Sequence, residues 1–255
     1  MNIVAIIPAR MDSSRFPGKP LEKIHGMSMI GHCLLRTQLC EQLAGTYVAT
    51  CDQEIYDYVQ SLGGKAVMTS DSHERASDRT AEAMTFIENE KGEKVDIVVM
   101  VQGDEPMIKP SMIEESLAPF TESSVQVVNL MSKIDSVEEF EDPNEVKVVV
   151  DKNSDAIYFS REAIPSRKKG VDDVPMLKQV CIIPFRRDYL LRFNSMNETN
   201  LEIIESVDMM RIIENGEKVR MVMTDSRSFS VDTMDDLKRV EAAMKNDPLM
   251  NSYIT

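Results

Sequence analysis

Histidine and cysteine are scarce in this sequence, and neither is arranged to hold a metal. The four cysteines, Cys33, Cys40, Cys51 and Cys181, include no CxxC pair, and His25, His32 and His73 are scattered. A zinc site of ordinary spacing is therefore not indicated, and a reducing cytoplasm fits best. No apolar run approaches the length of a membrane span, and the chain begins directly on strand-like Asn2-Ile3-Val4-Ala5, so neither export nor membrane insertion is expected. The first strand is not followed by GxGxxG, which disfavours a dinucleotide-binding oxidoreductase. No Ser-His-Asp nucleophile, internal repeat, low-complexity tract or clear linker stands out. The formal net charge of -14 argues against nucleic acid or an anionic membrane as a general partner. An anionic substrate would have to rely on a local cationic cluster.

Such a cluster is present. Val4 to Ile7 is a short apolar run of the kind buried in a parallel sheet; Pro8 stops it, and a loop carrying Arg10, Arg15 and Lys19 follows. Ligands of open α/β sheets bind at the carboxyl edge, where this loop should leave. Ser13 and Ser14 offer hydroxyls and neighbouring amides, Gly18 allows close approach, and the three cations can make charge-assisted bonds to phosphate. A basic surface loop after an edge strand is the competing reading.

At 255 residues, 42% hydrophobic and 28% charged, the chain can bury a substantial core as an ordinary globular protein. Strand and helix patterns alternate through its first half. Strands are expected near 3–7, 46–49, 65–68 and 96–101, and helices near 28–43, 53–62 and 78–90, which is the rhythm of a parallel sheet. Gly63-Gly64 should end one helix and Asp78 cap another. After about residue 120, strands near 125–131, 145–150, 156–159 and 178–185 imply an antiparallel or mixed extension. Pro165 to Pro175 reads as an exposed flexible loop, and Leu201 to Asn215 and Met234 to Lys245 as helices. One domain over 1–255 is expected, with an inserted subregion at approximately 120–200. The nineteen methionines fall mostly at apolar positions, which favours core filling over a flexible binding surface.

Asp96 to Val101 forms a second apolar strand that ends in Gln102-Gly103-Asp104-Glu105-Pro106. A carboxylate at such a strand end can hold a hard divalent cation, magnesium above all, with water and phosphate oxygens filling the other positions. Asp104 can equally close a turn or cap the helix beginning near Ser111. Asp232, in Val231-Asp232-Thr233, is a second candidate, with the N-cap of the last helix as its alternative. A cationic loop, two such aspartates and no nucleophile together suggest transfer at phosphorus by positioning and charge neutralisation.

Ordered motifs carry a resemblance. Ile7-Pro8-Ala9-Arg10, Ser14-Arg15-Phe16-Pro17-Gly18-Lys19-Pro20-Leu21, Val101-Gln102-Gly103-Asp104-Glu105-Pro106, Val146-Lys147-Val148-Val149, Tyr158-Phe159-Ser160-Arg161, Ile164-Pro165 and Val231-Asp232-Thr233 closely resemble the 3-deoxy-manno-octulosonate cytidylyltransferases, or CMP-Kdo synthetases, from about residue 2 to 245. The resemblance implies an α/β, Rossmann-like nucleotide-diphospho-sugar transferase (glycosyltransferase-A-like) fold, with a mixed central sheet flanked by helices. It also implies a cytoplasmic homodimer serving lipopolysaccharide or surface-polysaccharide biosynthesis, with the 120–200 subregion binding sugar and forming the dimer. The implied reaction is magnesium-dependent coupling of CTP to a 2-keto sugar acid with release of pyrophosphate. Carried over by residue, Arg10, Lys19, Asp104 and Asp232 would be catalytic, and the two aspartates would hold Mg2+. Pro8, Ala9, Arg10, Ser13, Ser14, Lys19, Arg75, Ala76, Ser77, Arg79 and Gln102 would bind the nucleotide. Arg15, Lys147, Arg161, Gln179, Glu205 and Asp208 would meet the sugar acid. Lys147 and Arg161 could receive its carboxylate, with a surface ion pair as the other explanation for each.

The departures from the family cluster. Arg75-Ala76 stands where a Ser-Gly pair would approach the cytosine, Gln179 where the sugar site has histidine, and Asp208-Met209 where it has Glu-Gln. Kdo or a modified Kdo-like acid is the expected substrate, and because methionine cannot replace the hydrogen bonds of glutamine, these departures point to a modified sugar acid rather than Kdo itself. The rivals are a nucleotidyltransferase for another base or sugar, a weakly active paralogue and a catalytically silent binding homologue. Retention of both aspartates beside the cationic loop speaks against the last.

Overall fold

The computed structural model describes residues 1–12, 16–168, 170, 173–227 and 229–254. In the first half, β1 (Ile3–Pro8), the short hairpin of β2 (Lys23–Ile24) and β3 (Met27–Ser28), α1 (Met29–Gln38), β4 (Gly45–Thr50), α2 (Gln53–Ser61), β5 (Lys65–Met68), α3 (Ala76–Lys91), β6 (Ile97–Val101) and α4 (Pro110–Leu117) follow one another. Then come β7 (Val128–Lys133), α5 (Val137–Glu141), β8 (Lys147–Val150), β9 (Ala156–Ser160), β10 (Leu177–Val180), β11 (Ile182–Arg186), α6 (Arg187–Ser195), α7 (Asn200–Glu205), α8 (Met209–Glu214), β12 (Arg220–Met223) and α9 (Met234–Met244).

The first sheet runs β11-β6-β1-β4-β5, parallel except for β11, which pairs antiparallel with β6. Alternate residues of β1 serve opposite faces, as strand geometry requires. Val4 and Ile6 pack with Met84, Ile87 and Phe193 toward α3 and α6, while Ala5 and Ile7 pack with Ile30, Leu34, Val59 and Met112 toward α1, α2 and α4. This double cover explains why β1 and β6 read as continuous apolar runs. The second sheet runs β12-β7-β10-β8-β9, and a bridge between Val127 and Phe185 joins it to the first. Met29, Met84, Met100, Met112, Met209 and Met244 are buried, in keeping with core filling.

Several expectations change. The apolar stretch 178–185 is two strands in different sheets, because the chain turns at Cys181, whose amide donates to Glu105 Oε1 at 3.0 Å. The stretch 201–215 is two helices, broken where Ser206 takes a left-handed conformation (φ 53°). Helix α1 ends at Gln38, short of residue 43. Helix α6 and strand β12 were not among the expected elements. Asp78 lies in the first turn of α3, with Arg75 at the N-cap position. Gly63 does supply the positive φ (71°) expected after α2. Within Pro165 to Pro175, Ser166, Arg167, Lys168, Gly170 and Asp173 are exposed, while Lys169, Val171 and Asp172 lie outside the described residues. Among the described residues, no helix is long and apolar enough to cross a membrane.

Candidate active site

The parallel register of β1 and β6 brings Pro8 and Val101 to the same sheet edge, so the loops after them meet. Gly103 is needed there: a Cβ at this position would lie 2.9 Å from the carbonyl oxygen of Pro8. The Val231 amide donates to the Asp104 carbonyl at 3.0 Å, laying the segment before α9 alongside the turn after β6. This backbone bond sets Asp104 and Asp232 beside each other. The helix caps fall elsewhere, at Lys109 for α4 and at Thr233, which accepts from the Asp236 amide, for α9.

Between the two aspartates sits Lys19. Its ammonium donates to Asp104 Oδ2 at 2.8 Å and to the Val231 carbonyl at 2.7 Å, and lies 3.5 Å from Asp232 Oδ1. Burial alone would lower the lysine pKa, but Asp104 and then Asp232 outweigh it and raise the value above the ordinary one. Gly18, at φ 77°, makes the turn that delivers Lys19, and its amide closes the loop on the Met11 carbonyl at 3.0 Å. Arg10 is exposed at the rim. Ser13, Ser14 and Arg15 lie outside the described residues.

A cavity of about 430 Å³ opens over this edge, walled by Pro8, Ala9, Arg10, Lys19, Arg75, Ala76, Arg79, Gln102, Gly103, Asp104, Ser206 and Asp208 among others. A second, of about 210 Å³, adjoins it and is walled in part by Gln102, Asp104, Glu105, Asn144, Glu145, Arg161, Lys178, Gln179, Ser206, Asp208 and Asp232. Gln102, Asp104, Ser206 and Asp208 belong to both. The cleft therefore has two chambers that meet at Asp104 and Asp208. Burial pushes the Asp208 carboxyl up, against the pull of Arg75 and of a 3.3 Å hydrogen bond from Ser77 Oγ.

Not every expected residue faces these chambers. Arg79 borders the first, yet its guanidinium is buried and donates to Thr69 Oγ1 (2.5 Å) and to the Ser70 and His73 carbonyls, so it shapes the loop over the cavity. Ser77 touches the cleft through Asp208. Lys147 is fully buried, its ammonium held by the carbonyls of Asp142, Glu145 and Arg161, and burial lowers its pKa. It pins three segments and is not presented to a substrate carboxylate. Glu205 accepts from Tyr158, Ser160 and the Arg161 amide at 2.9 to 3.0 Å, tying α7 to the end of β9 away from either chamber. Met209 is wholly buried in the main core, so its difference from glutamine says nothing about sugar hydroxyls. Gln179 does border the second chamber, with its amide nitrogen donating to Asn129 Oδ1 at 2.6 Å. Arg161 also faces it, steadied by the Glu205 and Pro143 carbonyls.

Sequence reasoning missed Lys178. Its buried ammonium lies 2.7 Å from Glu139 and 3.1 Å from Glu145 at the wall of the second chamber. Burial lowers its pKa, and Glu145 and Glu139 more than restore it. A lysine beside Gln179 within a short strand was the available signal. Among the described residues no group of three His, Cys, Asp or Glu is set to hold a metal. Asp104 and Asp232 nevertheless form a hard oxygen pair already bridged by a cationic group, a donor set that suits Mg2+ with phosphate and water completing its shell.

The largely parallel sheet carries loops that converge on a two-chambered cleft. The same fold occurs in a putative glucose-1-phosphate thymidylyltransferase from Bacillus anthracis, 16% identical with a TM-score of 0.67 over 96% of each chain. The chain belongs to the cytidylyltransferase family, whose model matches residues 4–219. It is 41% identical over 251 residues to the 3-deoxy-manno-octulosonate cytidylyltransferase of Geobacter metallireducens, covering 94% of this chain and 96% of that one. The enzyme of the same name from Geotalea daltonii is 40% identical over 257 residues, 96% and 99% of the two chains. A solved CMP:2-keto-3-deoxy-manno-octonic acid synthetase complexed with CTP superposes with a TM-score of 0.87 at 37% identity, covering 96% of this chain and 98% of that one.

Proposed function

We propose that this chain couples CTP to 3-deoxy-manno-octulosonate (Kdo), or a close Kdo-like acid, giving the CMP-sugar and pyrophosphate. The observation that carries the reading is the pair of chambers meeting at Asp104 and Asp208, one bordered by the cationic loop and the other by Arg161, Lys178 and Gln179. The first would hold CTP, with Arg10 and Lys19 on the triphosphate and the Arg75 to Arg79 segment near the base. The second would hold the sugar acid, its carboxylate answered by Arg161 and Lys178 and its hydroxyls by Gln179 and Asp208.

In-line attack by the anomeric hydroxyl on the α-phosphorus needs both reactants held at one junction. Lys19 borders the nucleotide chamber and would answer the negative charge that moves toward the departing pyrophosphate. Asp104 and Asp232 would hold Mg2+, which supplies neutralisation of the phosphate oxygens when bound. We further infer a cytoplasmic homodimer, with the 120–200 subregion contributing to sugar binding and to the dimer.

Pyrophosphate release with each of the four NTPs, against Kdo, its 8-amino analogue and nonulosonic acids, tests the reading. CTP with Kdo should give the highest kcat/KM. Turnover with UTP and none with CTP would overturn the assignment of the base, and no turnover with any pair would overturn the enzyme.

A further inference from the structure

Arg75 occupies the N-cap position of α3 at the border of the nucleotide chamber, and its side chain is engaged by carboxylates. Its guanidinium reaches the segment that leads into α7. Nε and Nη2 donate to Glu198 Oε1 at 2.8 and 2.6 Å, and Nε lies 3.3 Å from Glu202 Oε1. Glu202 is fully buried and is itself gripped by Arg211 through two bonds of 2.8 and 2.6 Å. Arg211 stacks over Phe193 and donates to the Phe193 and Met196 carbonyls, which anchors the network in the core. A chain of alternating charges thus runs from the start of α3, through α7, into α8.

The segment so tied leads directly into Ser206 and Asp208, which border both chambers. We propose that Arg75 is a positioning residue, a latch that holds segment 197–208 against the start of α3 and so sets the sugar side of the cleft from the nucleotide side. This inference rests on the function proposed above for its kinetic consequence, though not for the latch itself. The short side chain of serine, expected at position 75 from the family resemblance, could not reach Glu198. A forked guanidinium suits the task because it meets two carboxylates at once, which a lysine ammonium on a flexible stem does less well.

Glu198 is the clean handle, since it borders neither chamber and its side chain is half exposed. Amide hydrogen exchange over 197–208, measured without substrate, should rise about two- to fivefold in both Glu198→Gln and Arg75→Gln, the scale of one solvent-screened charge-assisted pair. Arg75→Lys should recover only part of the protection, and the double variant should be no worse than Arg75→Gln alone. In steady state, Glu198→Gln should raise the KM for Kdo by a similar factor with kcat near the parent's. Parent-like exchange in Glu198→Gln would overturn the latch, as would singles whose effects simply multiply in the double. If the parent turned over no CTP and Kdo, the proposed function would fall while the exchange measurement still decided the latch.

Discussion

The Lys19 ammonium lies 2.8 Å from Asp104 Oδ2 and 3.5 Å from Asp232 Oδ1, so one lysine bridges two carboxylates that the backbone forces together. Without it, two like charges would face each other across a partly buried gap. Lys19→Gln is therefore expected to lower stability by about 2 kcal/mol in metal-free buffer, less than the loss at a fully buried pair. Millimolar Mg2+ should restore stability to the variant by more than it stabilises the parent. Thermal melts across a magnesium titration check this, and equal responses would contradict the shared site.

Lys147 offers a separation of stability from substrate binding. Its ammonium satisfies three carbonyls in a buried position, so Lys147→Met should cost about 1–3 kcal/mol through the acceptors left unpaired. The folded fraction should keep a KM for Kdo close to the parent's. A tenfold rise in that KM with unchanged stability would return Lys147 to the sugar site.

Met209 gives a second separation. Restoring the family's glutamine would bury an amide in the main core, and Met209→Gln should destabilise by about 2 kcal/mol without improving use of Kdo. Denaturant unfolding beside a kcat/KM measurement checks both halves. A clear gain in kcat/KM would show that the side chain reaches the sugar.

Glu88 sets an acid limit on stability. Arg187 holds its carboxylate by two bonds of 2.9 and 2.8 Å, and the Val95 amide adds a third, so the folded pKa lies below the ordinary 4.5. A depressed carboxyl pKa contributes stability above the unfolded value that is lost as pH falls through the folded one. Glu88→Gln should cost about 1–2 kcal/mol at neutral pH and little at pH 3, as expected of a charge-assisted pair. Unfolding curves from pH 7 to pH 3 check this, and a cost independent of pH would mean that packing dominates.

Where local pattern and tertiary demand coincide, the sequence was legible. Pro8 and Gln102 mark the ends of β1 and β6 because both strands are apolar on two faces and stop abruptly at the polar edge where Lys19 and Asp104 meet. The turn at Cys181 was not legible, since Val180, Ile182 and Ile183 keep one apolar rhythm while Glu105, far away in sequence, pulls the chain from one sheet to the other. The break at Ser206 is a local left-handed cap, with the Val207 amide returning to the Glu202 carbonyl, at a serine that carries no glycine-like signal for it. Lys147 and Glu205 kept their chemical types but not their expected exposure, because burial is a property of the packed fold. Arg75 stood out as a departure, yet its partners Glu198 and Glu202 became visible only once α7 was set against α3.

The most direct test of the account is pyrophosphate release from CTP and Kdo in magnesium by the parent and by Asp104→Asn, with circular dichroism confirming that both are folded. The substitution preserves shape and removes one of the two charges at the junction of the chambers. We expect kcat/KM to fall by about a hundredfold or more, the scale of losing one electrostatic stabiliser of the transition state. Turnover within a fewfold of the parent's would contradict the account and leave Asp104 a turn residue.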